Sequence, residues 1–243
     1  MLDITRRNFL RGTAMLLAAT AAIAASGCGK RDDSAPASTP VAGRIAVVPP
    51  VADTSRPASE AGLPRGYHAA LDDATAKTGD IAYTEKERGR WEVKTGPAHI
   101  LYSPADTAKS RYIASATFEQ LDAPAHPEAF GVFVGGSKLG SAGARYTYFL
   151  VRGDGSYMVK VRDGATTRTI TDWTAQPSIP KQDDAGKALY GIRIEVRDKA
   201  ANVSVNGIPI ATITGKGIPL DGIAGVRINH NLHLIVTPVS LIR

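Results

Sequence analysis

The chain has 243 residues, 43% of them hydrophobic and 21% charged, with one cysteine. That composition is globular, which argues against a wholly disordered, collagen-like or disulfide-stapled protein. No apolar run reaches the roughly 18 residues that a membrane-spanning helix needs. The formal charge of +6 is spread along the chain without a Lys/Arg cluster, so nucleic acid is not an expected partner.

The first 28 residues read as an address. Arg6, Arg7 and Arg11 form a basic start, and a largely apolar run follows from Ala14 to Ala25. That run is too short to span a bilayer and suits a signal peptide. The segment Thr5-Arg-Arg-Asn-Phe-Leu-Arg11 resembles the twin-arginine export motif, which implies delivery by the twin-arginine machinery. Ala25-Ser-Gly-Cys28 resembles a bacterial lipobox, although Ala25 stands where Leu is commoner. The resemblance implies cleavage after residue 27 and lipidation of Cys28, hence a membrane-anchored protein of the cell envelope, facing the periplasm or on the outer membrane. An ordinary signal cleavage that leaves Cys28 incidental is the alternative. Cleavage removes Arg6, Arg7, Arg11 and Asp3, and leaves a net charge of +4.

Residues 28–65 are the expected tether. Six of the 15 prolines fall within 29–65, and no aromatic residue occurs between Phe9 and Tyr67. Such a segment buries too little apolar surface to offset its ordering entropy. Arg44 to Val48 is a candidate edge strand within it.

From Gly66 to Arg243 the pattern is short alternating runs broken by turn residues. Tyr112 to Leu121 and Ala129 to Val134 read as strands. Tyr146 to Arg152, Ser156 to Arg162 and Thr166 to Trp173 form a meander through turns at Gly153-Asp-Gly155 and Asp163-Gly164. Tyr157, Val159 and Val161 fall on one face, and Met158, Lys160 and Arg162 on the other. Ala175 to Lys187 reads as a loop. Tyr190 to Arg197 sets Ile192, Ile194 and Val196 against Arg193, Glu195 and Arg197. Asn206-Gly207 is the strongest hairpin signal, joining Asn202–Asn206 to Ile208–Ile213. Gly225 to Asn229 and Leu232 to Ile242 complete the set. Eight to thirteen short strands without a sustained helical period predict an all-β antiparallel sandwich.

Asn202 to Ile213, followed by Gly222 to Ile228, resembles the closing strands of concanavalin A-like lectin/glucanase (laminin-G-like) jelly rolls. His126 to Gly136 with Tyr146 to Arg152 resembles the bacterial 3-keto-disaccharide hydrolase-like branch of that superfamily. The resemblance covers about residues 66–243. It implies a jelly roll in which one curved sheet carries the ligand, and that branch holds many uncharacterised secreted members.

Two groups of residues could carry chemistry. His126 and Glu128 share a strand face, and His230 sits in the cluster Asn229-His-Asn231 with His233 nearby. If His126, Glu128 and His230 converge, they are acid/base or metal groups of a glycoside-acting enzyme; a lone His-x-Glu lacks the third group such a site needs. The second group is the polar face of the meander. Tyr146, Tyr148, Arg152, Lys160 and Arg162, with Arg227 and Asn229 near the end, offer rings and hydrogen-bond donors to a saccharide or glycoconjugate. The same alternation also describes any half-solvated antiparallel sheet. No cofactor motif occurs, nor does a Glu-x-Asp-x-x-Glu run, a Gly-x-Ser-x-Gly elbow or a His-Glu-x-x-His. The expectation is therefore a non-catalytic saccharide-binding module on a lipid anchor. A glycoside-acting enzyme and a structural envelope-interaction module are the alternatives.

Overall fold

The computed structural model describes residues 62–87 and 89–243. The expected signal peptide, Cys28, the candidate strand Arg44 to Val48 and nearly all of the expected tether lie outside the described residues.

Fifteen strands occur among the described residues. The first five are β1 (His68–Leu71), β2 (Tyr83–Glu87), β3 (Arg90–Lys94), β4 (His99–Ala108) and β5 (Tyr112–Gln120). Next come β6 (Ala129–Ser137), β7 (Arg145–Arg152), β8 (Ser156–Asp163), β9 (Thr166–Ala175) and β10 (Ala188–Arg197). The last are β11 (Ala200–Val205), β12 (Ile208–Ile213), β13 (Gly222–Ile228), β14 (His233–Val236) and β15 (Ser240–Ile242). All pairings are antiparallel. A seven-stranded sheet runs β1-β4-β13-β6-β7-β8-β9. An eight-stranded sheet runs β12-β11-β10-β5-β14-β3-β2, with β15 also on β5. The fold is an all-β, antiparallel, jelly-roll sandwich.

The alternating residues show why the sheets face each other. On β7, Phe149 and Val151 point into the core, as do Val159 of β8, Val226 and Ile228 of β13, and Ile192, Ile194 and Val196 of β10. Each buried aliphatic side chain contributes about 1.5–3 kcal/mol relative to exposure, so this period of two specifies the register. Aromatic rings bridge the sheets: Phe130 of β6 lies 5.1 Å from Phe118 of β5 and 5.3 Å from Tyr190 of β10, edge-on to the latter. Leu63 and Tyr67, just before β1, already belong to this core.

The turns follow the sequence signals. Asn206 and Gly207 both take positive φ, 50° and 82°, as a tight hairpin with right-handed strand twist requires. The Asn206 side chain also accepts from the Gly191 N–H at 2.6 Å and donates to the Leu189 carbonyl at 3.0 Å, tying the β11–β12 hairpin to β10. The stretch Leu232 to Ile242, read as one strand, is two. Thr237 and Pro238 interrupt it, because proline cannot donate to a ladder, and both pieces pair with β5.

Candidate functional site

The seven-stranded sheet carries buried apolar side chains on both faces. Its outer side carries a second cluster: Ile100, Ala129, Phe133, Tyr146, Tyr148, Leu150 and Met158, with Tyr102, Leu139 and Trp173 packed against it. Cross-strand register orders this face in rows. One row reads Ala70, Ile100, Arg227, Gly131, Leu150, Met158 across β1, β4, β13, β6, β7 and β8. The next sets Gly225, Phe133, Tyr148 and Lys160 side by side, and Tyr146 pairs with Arg162 beyond it.

Arg227 is the centre of the face. Its guanidinium donates to both carboxylate oxygens of Asp72, which follows β1, and to the Tyr146 hydroxyl at 3.2 Å. It lies 5.1 Å from the Tyr148 ring centroid. Gly131, between Arg227 and Leu150 in its row, has no side chain, so the arginine can reach across β6 toward β7. Burial works against ionising Asp72, but the hydrogen bond and charge of Arg227 outweigh it and hold the carboxyl below its ordinary value. Burial likewise opposes the Arg227 charge, and Asp72 more than restores it. Burial raises the tyrosine hydroxyls of Tyr146 and Tyr148 above their ordinary values, against the pull of Arg227.

The expected ligand face is thus brought together, with one change of role. Tyr146 and Tyr148 lie on it but are only 3% and 5% exposed. Their rings pack on each other at 5.5 Å, and Tyr146 on Phe133 at 5.1 Å, so they form its floor and not open stacking platforms. Lys160 and Arg162 of β8 are half-buried on the same face. Arg152 lays its guanidinium over the Trp173 ring at 3.4 Å from the centroid. The Nε atoms of Arg152 and Arg227 and the Oδ1 of Asn229 are buried without a hydrogen-bond partner among the described residues. Asp72 was missed by sequence reading. An acidic pair after a four-residue strand carries no local sign of a partner 155 positions away.

The other candidate group assembles in part. β13 ends beside the start of β6, with Ile228 opposite Phe130, and this carries His230 to Glu128, Nδ1 to Oε1 at 3.3 Å. His230 also lines a recess of about 480 Å³ with Asp72, Asp73, Gly96, Pro97 and Ala98. His126 is exposed in the loop before β6 and is not among the residues lining that recess. Among the described residues, no group of three or more His, Cys, Asp and Glu side chains could hold a metal ion. His233 goes elsewhere, bridging Glu92 at 2.7 Å and Asp122 at 2.9 Å, and these two carboxylates raise its pKa above the ordinary value.

This two-sheet architecture is shared with a solved carbohydrate-binding protein. The carbohydrate-binding module CBM66 from Bacillus subtilis superposes with a TM-score of 0.54 at 7% identity, over 73% of this chain and 96% of that one. The sandwich is a jelly roll of the concanavalin-like type. A Bacillus subtilis protein of unknown function with a galectin-like fold matches it with a TM-score of 0.53 at 12% identity, over 72% of this chain and 88% of that one. At such identities the likeness is one of fold alone. No protein-family model and no curated protein matches the chain in sequence.

Proposed function

We propose that the protein is an exported, lipid-anchored envelope protein whose jelly roll binds a saccharide without turning it over. One observation carries the binding reading: among the described residues, Arg152 Nε, Arg227 Nε and Asn229 Oδ1 are buried polar atoms without a partner around one sheet face. Buried polar groups are almost always paired, and leaving one unpaired costs about 1–3 kcal/mol. A side-chain shift on binding would open them to the hydroxyls of a sugar. Arg152, Lys160, Arg162 and Arg227 would then hold the ligand above a floor of Tyr146 and Tyr148. The export and anchoring part rests on Arg6-Arg7 and Cys28 in the sequence. Its tests are loss of export in Arg6→Lys/Arg7→Lys and loss of labelled fatty-acid incorporation in Cys28→Ser.

The His230–Glu128 pair beside the recess supports a second reading, a glycoside-acting enzyme resembling 3-keto-disaccharide hydrolases. A glycan array and a keto-glycoside turnover screen on the full chain, with and without divalent metal, separate the two. Binding without turnover is the expected result. Turnover lost in Glu128→Gln establishes the enzyme instead, and neither binding nor turnover leaves a structural envelope role.

A further inference from the structure

The outer faces of the two sheets treat charge differently. On the eight-stranded sheet most of the cations are matched, Lys94 of β3 being an exception. Lys86 pairs with Glu92, Arg90 with Glu119, and Arg193 and Arg197 share Glu195, while Arg111 meets Asp198 at that sheet's end. His233 sits between Glu92 and Asp122. On the seven-stranded sheet Arg227 pairs with Asp72, which is buried enough to feel Arg162 and His230 as well, and Arg145 meets Asp163 at 3.6 Å. Arg152, Lys160 and Arg162 have no ion-pair partner among the described residues. The Nε of Arg162 donates to the Gly164 carbonyl, and its charge reaches Asp72 only through space, without an ion-pair contact.

These three cations lie along the strand direction. Arg162 stands beside Tyr146 and Lys160 beside Tyr148. Arg152 lies two residues past Leu150, which pairs with Met158, so it stands at the far end of the same lane. At about 3.3 Å per residue the lane from Arg162 to Arg152 is roughly 20 Å long. Its middle is apolar, floored by Leu150 and Met158. A neutral sugar chain can take hydrogen bonds from these donors but gains nothing from their net charge. A chain bearing anions at intervals uses both parts of the lane.

Building on the saccharide reading, we propose that the ligand is an acidic saccharide, carrying carboxylate or sulfate groups, laid along β8 with its anions against Arg162, Lys160 and Arg152. Charge-assisted hydrogen bonds from the guanidinium forks and the ammonium group hold the anions, and ring C–H faces rest on the apolar middle.

The test uses the full-length protein titrated with polygalacturonate, dextran sulfate, neutral dextran and single-stranded DNA. Binding to polygalacturonate or dextran sulfate is expected, and the tighter of the two assigns carboxylate or sulfate. Affinity should weaken several-fold on raising NaCl from roughly 50 to roughly 300 mM. Lys160→Gln and Arg162→Gln should each weaken it about tenfold. Arg193→Gln, on the opposite sheet, should leave it unchanged, and all three variants should keep the parent melting temperature. Salt-independent binding of neutral dextran overturns the acidic ligand and keeps a saccharide site. Equal affinity for DNA overturns the inference in favour of indiscriminate polyanion binding. Binding of no saccharide overturns both this inference and the reading it rests on.

Discussion

Arg227 grips both oxygens of Asp72 and, from the same guanidinium, reaches the Tyr146 hydroxyl at 3.2 Å. One arginine thereby ties the segment after β1 to β13 and β7, strands that are not neighbours in the sheet. Because the arginine side chain is 10% exposed and the Asp72 side chain 34%, the pair is asymmetric: losing the carboxylate strands a buried cation.

Asp72→Asn should therefore destabilise the protein by about 2–3 kcal/mol, near the lower end for breaking a buried pair because Asp72 is partly hydrated. Asp73→Asn should cost far less, since that side chain is exposed and bonds only its neighbour Thr75. Urea unfolding of both variants gives the comparison. Equal losses would show that the Arg227 contact contributes nothing.

His99 supplies a pH dependence. It is fully buried at the start of β4, where its Nε2 accepts from the Tyr83 hydroxyl at 2.6 Å and its Nδ1–H faces the Pro97 carbonyl at 3.2 Å. Burial lowers its pKa from 6.5 to about 4, with Arg227 adding to the effect and Pro97 and Asp72 opposing it. The folded state thus resists a proton that the unfolded chain takes up below pH 6.5. Stability should fall as pH drops from about 6.5 to about 4 and then level off, by about 3 kcal/mol for this group. Asp72, with a depressed pKa, adds its loss only below its ordinary value of 3.8, so the two windows separate. His233, whose pKa is raised, works in the opposite sense over the same range, so the His99 contribution is read as the difference between the parent and His99→Gln unfolding curves, which should grow as pH falls from about 6.5 to about 4.

Which parts of this could be read from the chain depends on how local their causes are. β10 was legible because Ile192, Ile194 and Val196 alternate with Arg193, Glu195 and Arg197, and burial follows that alternation. The Asn206-Gly207 hairpin was legible because its backbone demands those residue types. The four strands before Tyr112 were not. β1 offers only His-Ala-Ala-Leu, β2 is an edge strand reading Tyr-Thr-Glu-Lys-Glu, and β4 contains Pro104. The cations of the outer face could be named from the two-residue period. That Tyr146 and Tyr148 are covered could not, because Phe133 and Arg227 reach them across strands. The meeting of His230 with Glu128 is likewise a product of strand order, 102 positions apart.

The β10–β11 hairpin uses unusual turn residues. Asp198 and Lys199 stand at φ of 52° and 65°, in the left-handed region that Asn206 and Gly207 occupy in the next hairpin. A lysine there carries about 1–2 kcal/mol of strain that glycine avoids, partly offset by glycine's freer unfolded chain. Lys199→Gly should stabilise the protein by about 0.5–1 kcal/mol, read as a higher urea midpoint with an unchanged slope. A loss of stability would mean the lysine side chain has a compensating contact.

Gly225 holds the outer face together by lacking a side chain. A Cβ there would stand 2.4 Å from the Leu101 carbonyl and 2.5 Å from the Phe133 ring, which lies over the strand at this point. Phe133 packs against Tyr146 at 5.1 Å, so displacing it disturbs the floor on which Arg227 rests. The backbone oxygen cannot move without breaking β4–β13 pairing, so Gly225→Ala should cost about 3 kcal/mol or more. At Gly79 a Cβ meets nothing within 4 Å, and Gly79→Ala should leave the midpoint nearly unchanged. Thermal unfolding of the pair checks this. If Phe133→Leu retains folding and weakens glycan binding, the tyrosine floor and the ligand site are one structure, because Phe133 touches the floor and none of the cations; Gly225→Ala, which also strains β4–β13 pairing beside Arg227, should weaken binding further.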